Sequence, residues 1–393
     1  MSLKDQHIAI AGAGIIGLSA ALAFADAGAR VTVFDRGRAM QEASWAAAGM
    51  LAVDDPENDP LLLPLSRLSR ALYSAFLDRV EHLSGMAVPL RTLRTLQGVA
   101  HPGPRGQAHM PALLEGLTPD AWSFYNLDEA SLDPRDLCAA LPRAARAAGV
   151  TLREHTAVHS VSPAADGAAL ELTLRSHDKE GAEQAADAAN AASLETCVAD
   201  HVVLAAGAWS GYILFPGGHT QPLPVAPRKG QMIEVLLAPD APQLTAVIRT
   251  QEVYLVPRGD RRVVIGATVE DAGFDRSLDP RSGRDLLQKA AALWPAIRNS
   301  TIHAEWTGLR PGYDAHLHAS HGSALPTIGP LAGSAANEAR PRLWAATGHF
   351  RNGILLAPAT ADLLVRMLQG QSLPIDIEPF SPARFVAQSE PVP

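Results

Sequence analysis

The feature that most constrains this chain lies at its start, where the apolar run His7-Ile8-Ala9-Ile10-Ala11 breaks into three spaced glycines, Gly12, Gly14 and Gly17. An apolar strand that turns through such a triplet into a helix builds a pyrophosphate site. Gly12 permits the tight turn, Gly14 lets backbone approach the phosphates, and Gly17 brings helix against sheet. The unpaired N–H groups around Ile15 and Ile16, with the positive end of the helix dipole, then face the anion. Leu18, Ala20, Ala21, Leu22, Ala23 and Phe24 continue an apolar helix to Gly28, and Arg30-Val31-Thr32-Val33-Phe34 reads as a second strand. Asp35 ends that strand, where a carboxylate accepts hydrogen bonds from a ribose diol. Arg36 and Arg38 beside it keep a nicotinamide cofactor with a 2′-phosphate open as a rival reading.

At 393 residues the chain is long enough for two or three domains, and 47% hydrophobic with 19% charged residues leaves little room for extensive disorder. A net charge of −8 argues against a nucleic-acid footprint or an anionic membrane surface, so small molecules are the expected partners. The two cysteines, Cys138 and Cys197, show no CxxC or metal-ligand spacing. They are read as buried thiols in a reducing compartment, by default the cytoplasm. The segment 8–29 is apolar enough to suggest a leader or membrane span, but it holds the glycine triplet and Asp26 and reads better as strand, turn and helix.

The dinucleotide-binding part returns later in the chain. Residues 136–148 form an expected amphipathic helix ending at Gly149, followed by a strand at 150–153 and a hairpin of 157–161 with 170–175. The run 201–210 reads as a buried parallel strand entering a glycine turn. Residues 178–193 are alanine-rich and polar, an expected exposed extension of the hairpin. From 225 to 268 the pattern changes to alternating β-branched strands, at 230–237, 245–249, 253–256 and 263–267, which predicts an antiparallel sheet with one face free to line a pocket. A helix at 281–293 and a strand at 302–307 follow. The last strand, 343–346, leads through Thr347-Gly348-His349-Phe350-Arg351-Asn352-Gly353 into a helix from 354 to 368, and residues after Phe385 read as a loose tail.

These motifs resemble, over nearly the whole chain, the FAD-dependent D-amino-acid oxidase family, and within it the glycine oxidases of thiamine biosynthesis. The matching pieces are the glycine triplet with Asp35, the loop Ala43-Ser44-Trp45-Ala46-Ala47-Ala48-Gly49-Met50-Leu51, the 203–210 strand, Tyr254-Leu255-Val256-Pro257-Arg258, Trp306-Thr307-Gly308-Leu309-Arg310-Pro311, and Gly348 through Ile354. The resemblance implies an α/β fold with a Rossmann-like FAD-binding domain (1–85, 135–215 and 326–385) and a second, antiparallel-sheet substrate domain (86–134 and 216–325), with 386–393 a tail. It implies FAD as cofactor, O2 as electron acceptor with peroxide as product, and a homo-oligomer.

The same resemblance carries the site. Arg310, expected after a strand and between rigid apolar flanks, is the family's carboxylate-binding arginine, and a fixed bidentate guanidinium suits that task. Tyr254 would hydrogen-bond the same carboxylate, and Arg351 would lie near substrate and flavin. Ser44, Ala47, Ala48, Gly49 and Met50 would border the pyrophosphate and flavin ring, Val158 would meet the adenine, and Ala206, Gly207 and Trp209 belong to the second glycine turn. His349, Asn352, Gly353 and Ile354 open the last helix, whose N–H groups would stabilise negative charge on the reduced flavin. Two positions depart from the related glycine oxidases: Glu252 stands where a histidine is found, two residues before Tyr254 and so on the same strand face, and Val269 replaces a longer apolar residue. The stretch 312–325 is longer and holds His316, His318 and His321, which without a cysteine or carboxylate cluster read as a solvated loop, with a lid as the more useful hypothesis and no metal expected. A dehydrogenase of the same fold, acting on a D-amino acid, sarcosine or a hydroxyproline with a non-oxygen acceptor, remains an alternative to the oxidase, and oxidation of groups on RNA is disfavoured by the acidic balance.

Overall fold

The computed structural model describes residues 2–100, 117, 122–165, 167–176, 194–215, 223–313, 325–331 and 342–388. Two sheets organise it. The first has six strands in the spatial order Thr327–Pro330, Leu343–Thr347, His201–Leu204, His7–Ala11, Arg30–Phe34 and Thr151–Arg153. All pairs are parallel except that of Thr327–Pro330 with its neighbour. Parallel strands covered on both faces are apolar throughout, and all five residues of His7–Ala11 are buried. Helices Ile15–Asp26, Leu63–Ser84, Pro134–Ala147 and Gly353–Gln369 pack on one face. The three-stranded sheet Thr156–Pro163, Leu170–Ser176 and Glu195–Ala199 supplies Val161, Leu170, Leu172 and Leu174 to the cluster on the other.

The helix Leu63–Ser84 has no counterpart in the sequence reading. It is fastened by polar contacts: Ser69 Oγ donates to the Leu355 carbonyl at 2.6 Å and the Tyr73 hydroxyl donates to that of Ile354 at 2.8 Å. Both acceptors lie in the first turn of Gly353–Gln369, so this helix fixes where the last one begins.

The second sheet has seven strands in the order Thr301–Tyr313, Val225–Leu236, Arg262–Gly266, Tyr254–Gly259, Val247–Arg249, Thr95–Ala100 and Trp122–Leu127. It is not purely antiparallel, as expected from sequence, because Val247–Arg249 runs parallel to Thr95–Ala100. Strand alternation divides its two faces. Ile233, Val235, Ile248, Leu255 and Ile265 share a cluster with Leu286 and Ala290 of helix Pro280–Leu293. Met232, Val247, Val256, Val264 and Trp306 pack instead with Ala46 and Ala48. That second face carries the site.

Other differences are local. In the run 201–210 the strand ends at Leu204 and the glycine turn that follows is a 3-10 turn, Gly207–Tyr212. Cys138 is buried, but Cys197 is only half-buried, because it sits on a strand at the edge of the three-stranded sheet; both are free. A 3-10 turn, Pro382–Gln388, carries the chain past Phe385. The alanine-rich segment and the three loop histidines lie outside the described residues. Among the described residues no helix is long and apolar enough to cross a membrane, and no group of three or more histidine, cysteine or acidic side chains is arranged to hold a metal.

Candidate active site

A cavity of about 420 Å3 is lined by residues of both sheets. At one end lies the first glycine turn. Gly12 has φ 107°, and a Cβ there would run into the Ala205 carbonyl, so only glycine lets the two strand ends approach. Helix Ile15–Asp26 begins at Gly14 without a side-chain cap. One of its N–H groups, that of Ile15, donates to Ser44 Oγ at 2.9 Å. Gly14, Ile15, Ile16, Ser44 and Val158 all line the cavity. Gly17 does not; a Cβ there would strike the Gly12 carbonyl, so its role is the packing of helix on sheet.

Asp35 faces the same space. Its two carboxylate oxygens accept from the backbone N–H groups of Ala13 at 2.7 Å and Gly37 at 2.8 Å. Each oxygen keeps a further lone pair for a diol. Burial pushes the carboxyl above its ordinary pKa, against the pull of those two hydrogen bonds. The Arg36 guanidinium lies 4.1 Å from the Trp209 ring centre, and Arg36, Ala206, Gly207 and Trp209 line the wall.

The middle of the cavity is bordered by Ala47, Ala48, Gly49 and Met50, beyond the short helix Ala43–Ala46. Trp306 Nε1 donates to the Ala46 carbonyl at 3.1 Å. Arg258, buried beneath the loop, donates to the carbonyls of Leu132 at 2.6 Å and Ala47 at 3.3 Å; burial pulls its pKa down to about 10. These contacts tie the loop to the second sheet.

The last helix, Gly353–Gln369, enters at Asn352 with no side-chain cap, so its positive end is open to the cavity that Asn352, Gly353 and Ile354 line. His349 also lines the wall. Its Nε2 is 3.0 Å from Thr360 Oγ1, and burial holds its pKa down to about 3, so the imidazole is neutral. Positive potential here therefore comes from the helix end rather than from an imidazolium.

Arg310 and Tyr254 share the remaining wall. Arg310 lies inside the strand Thr301–Tyr313 rather than after a strand, because pairing with Val225–Leu236 continues through Pro311 opposite Pro227. Its guanidinium rests over Gly230, where a Cβ would collide with it, and the Tyr254 hydroxyl rests in the same way over Gly266. Arg310 Nη1 donates to the Thr268 carbonyl at 3.1 Å, and no carboxylate of a described residue pairs with it. Burial lowers its pKa, with the neighbouring Tyr254 hydroxyl acting in the opposite sense. Burial raises that of Tyr254, with Arg310 opposing. The Tyr254 hydroxyl donates to Met232 Sδ at 3.0 Å.

Arg351 lines the cavity but is exposed and committed to an acidic loop: it pairs with Glu57, with Asp55 at 3.4 Å, and reaches Asn58 Oδ1 at 3.4 Å. Asn352 donates to the same Asn58 oxygen at 2.9 Å. Glu252 is not on the strand with Tyr254. It sits in the preceding turn, exposed at the rim, its N–H donating to Thr250 Oγ1. Val269 is likewise at the wall and 66% exposed. The sequence reading missed Arg249, Asp55 and Glu57 as lining residues. No motif marks them.

Fold and cavity together define a dinucleotide-dependent enzyme in which a phosphate cradle and an arginine with no carboxylate partner among the described residues open on one space. The profile of the FAD dependent oxidoreductase family matches residues 7–367, and the chain belongs to that family. The glycine oxidase of Pseudomonas aeruginosa is 32% identical over 96% of this chain and 99% of its own. A bifunctional protein ThiO/ThiG of a Nostoc species is 32% identical over 99% of this chain and 56% of its own length. Among solved structures, glycine oxidase from Geobacillus kaustophilus superposes with a TM-score of 0.75 at 27% identity, covering 96% of this chain and 98% of that one. FAD is the cofactor of this family, which sets the nicotinamide reading aside. The residues present fit it: two helix starts whose own N-cap residues supply no side-chain cap, a Cβ-free approach at Gly12, and an Asp35 carboxylate with lone pairs to spare.

Proposed function

We propose that this chain is an amino-acid oxidase that deaminates glycine or a close N-methyl or D-relative, with O2 as the final acceptor and hydrogen peroxide as a product. The observation that carries the reading is Arg310: a guanidinium in the cavity wall, beside a tyrosine hydroxyl, with no carboxylate of a described residue in ion-pair contact. Such a cation is ready for an anionic substrate, and the α-carboxylate of an amino acid matches its planar fork. Bound FAD supplies the two-electron acceptor for the hydride leaving Cα.

The chain's own task is orientation. Arg310 and Tyr254 hold the carboxylate, the apolar wall of Ala48, Met50 and Met232 excludes water, and the open end of helix Gly353–Gln369 favours negative charge near it. A deprotonated amine needs no side-chain base, which agrees with the neutral His349. Water releases ammonia from the imine, and from glycine that imine would feed the thiazole of thiamine. Names of the relatives support the amino-acid and oxidase parts, and two free cysteines suit a cytoplasmic enzyme. The test is anaerobic bleaching of the bound flavin by glycine, sarcosine and a set of D- and L-amino acids, followed by air and a peroxide assay. Bleaching headed by glycine or sarcosine with stoichiometric peroxide is expected. Rapid dye reduction without peroxide would replace oxidase with dehydrogenase, and a set headed by D-proline with glycine inert would overturn the substrate.

A further inference from the structure

Arg249 belongs to the same wall as Arg310 and Tyr254, and nothing in the proposed reaction uses it. It stands opposite Tyr254 in the strand register, so the two side chains leave the sheet on one face. Tyr254 in turn stands opposite Gly266, over which its ring lies, and Gly266 stands opposite Met232, two residues from Gly230. The face therefore runs from Arg310 across Tyr254 to Arg249, with one cationic group at each side of the tyrosine.

The donors of Arg249 are incompletely used. Its Nε donates to Gln97 Oε1 at 2.5 Å. Nη2 is 3.0 Å from Glu129 Oε2, but neither of those atoms makes a well-directed hydrogen bond, and Nη1 has no partner among the described residues, although Arg249 is only 3% exposed. Glu129 is held by a different contact, its Oε1 accepting from the Asp54 N–H at 2.8 Å. Arg258, on the next strand, shows how a purely structural arginine is treated in this fold: it faces Asp133 and fills its remaining donors with two carbonyls. Arg249 resembles Arg310 instead, a buried guanidinium with donors left over in a cavity wall. Unfilled donors on a buried cation call for an acceptor, and a carboxylate is the acceptor whose geometry matches.

We propose that Arg249 is a second anion subsite of the substrate cavity, which takes a carboxylate carried on the side chain or on the nitrogen substituent of the amino acid, so that amino dicarboxylates are substrates. This rests on the reading that Arg310 holds the α-carboxylate. Glu129 shares the guanidinium with the ligand; burial raises the Glu129 carboxyl, with Arg249 opposing the rise.

The test uses the FAD-loaded enzyme and non-reacting acids, read by perturbation of the flavin visible spectrum. Succinate is compared with butyrate and glutarate with valerate, each pair sharing a carbon count. At least one dicarboxylate is expected to bind tenfold or more tightly than its partner, and in Arg249→Gln combined with Glu129→Gln that ratio is expected to fall to near one. A merely structural role would weaken both ligands together and leave the ratio intact, which would overturn the subsite. Equal binding of the paired acids by the unaltered enzyme would also overturn it, whether or not the double variant folds. Loss of butyrate binding in Arg310→Met tests the first anchor separately: if butyrate still binds there unchanged, the α-carboxylate reading fails, and the subsite with it.

Discussion

The Arg310 guanidinium lies on the bare backbone of Gly230, across the pair of strands that also sets Gly230 opposite Gly308. A side chain at position 230 would take the space that the guanidinium occupies. Gly230 lies in the extended strand Val225–Leu236, so alanine is tolerated by the backbone there and the effect falls on the arginine. Gly230→Ala is expected to raise KM for the amino acid at least about tenfold, approaching the loss in Arg310→Ala, which removes a charged hydrogen bond of about 1.5–3 kcal/mol. Flavin content is expected to stay normal. Steady-state kinetics with native KM in this variant would show that the guanidinium has another resting place.

Gly12→Ala acts at the opposite end of the cavity. With φ 107° and the Ala205 carbonyl in the way, a Cβ forces strand and turn apart. The variant is expected to purify largely without FAD, with little recovery on adding the cofactor in excess. Absorbance at the flavin bands relative to protein absorbance measures this, and full flavin occupancy would remove the turn from the cofactor site.

What the sequence made legible was whatever depends on local pattern. The apolar run before Gly12 and the carboxylate at Asp35 are a short-range signal, as is the alternation that puts Ile233 and Val235 on one face and Met232 on the other. The strand expected at 302–307 runs on to Tyr313, with Arg310 and Pro311 inside it. Thr301–Tyr313 is the edge strand of its sheet, where a missing N–H does not break a ladder on both sides. Helix Leu63–Ser84 went unread although Leu65, Leu72, Phe76, Val80 and Leu83 recur at helical spacing against the core; the partners of its polar anchors Ser69 and Tyr73 lie more than 280 residues away. Arg249 escaped for a similar reason: Gln97 and Glu129 give it meaning only once two distant strands meet.

The Asp35 end of the cavity carries a stack that joins the two sheets. Trp209 carries the Arg36 guanidinium at 4.1 Å on one ring face and stacks with Phe274 at 5.2 Å, while Arg276 pairs with Glu42. Phe274 and Arg276 come from the segment between Arg262–Gly266 and Pro280–Leu293 and do not line the cavity themselves, so they bear on it through Trp209 and Glu42. Phe274→Ala removes an aromatic pair of about 0.5–1.5 kcal/mol. The expected result is a two- to tenfold weaker FAD dissociation constant, measured by the fluorescence of released flavin, with KM for the amino acid little changed. An unaltered dissociation constant would leave the stack as packing alone.

His349 makes stability depend on pH in a direction that can be worked out. Its ordinary pKa is 6.5, and burial holds it down to about 3 in the folded protein. Between those values the unfolded chain binds a proton that the folded chain does not, so folding weakens as pH falls through 6.5 and goes on weakening to about 3. The slope from this one group is at most about 1.4 kcal/mol per pH unit. Asp35 and Glu129 act oppositely, since burial raises both carboxyls and their folded forms hold protons longer. The informative quantity is therefore the difference between variants. Thermal unfolding of His349→Asn, followed from pH 7 to pH 4.5, is expected to lose less stability with acid than the unaltered protein, even if Asn forfeits the contact with Thr360 and starts from a lower Tm. Parallel curves would mean that the imidazole takes up its proton in the folded state, and the cavity would then hold a cation beside the open end of helix Gly353–Gln369 in acid.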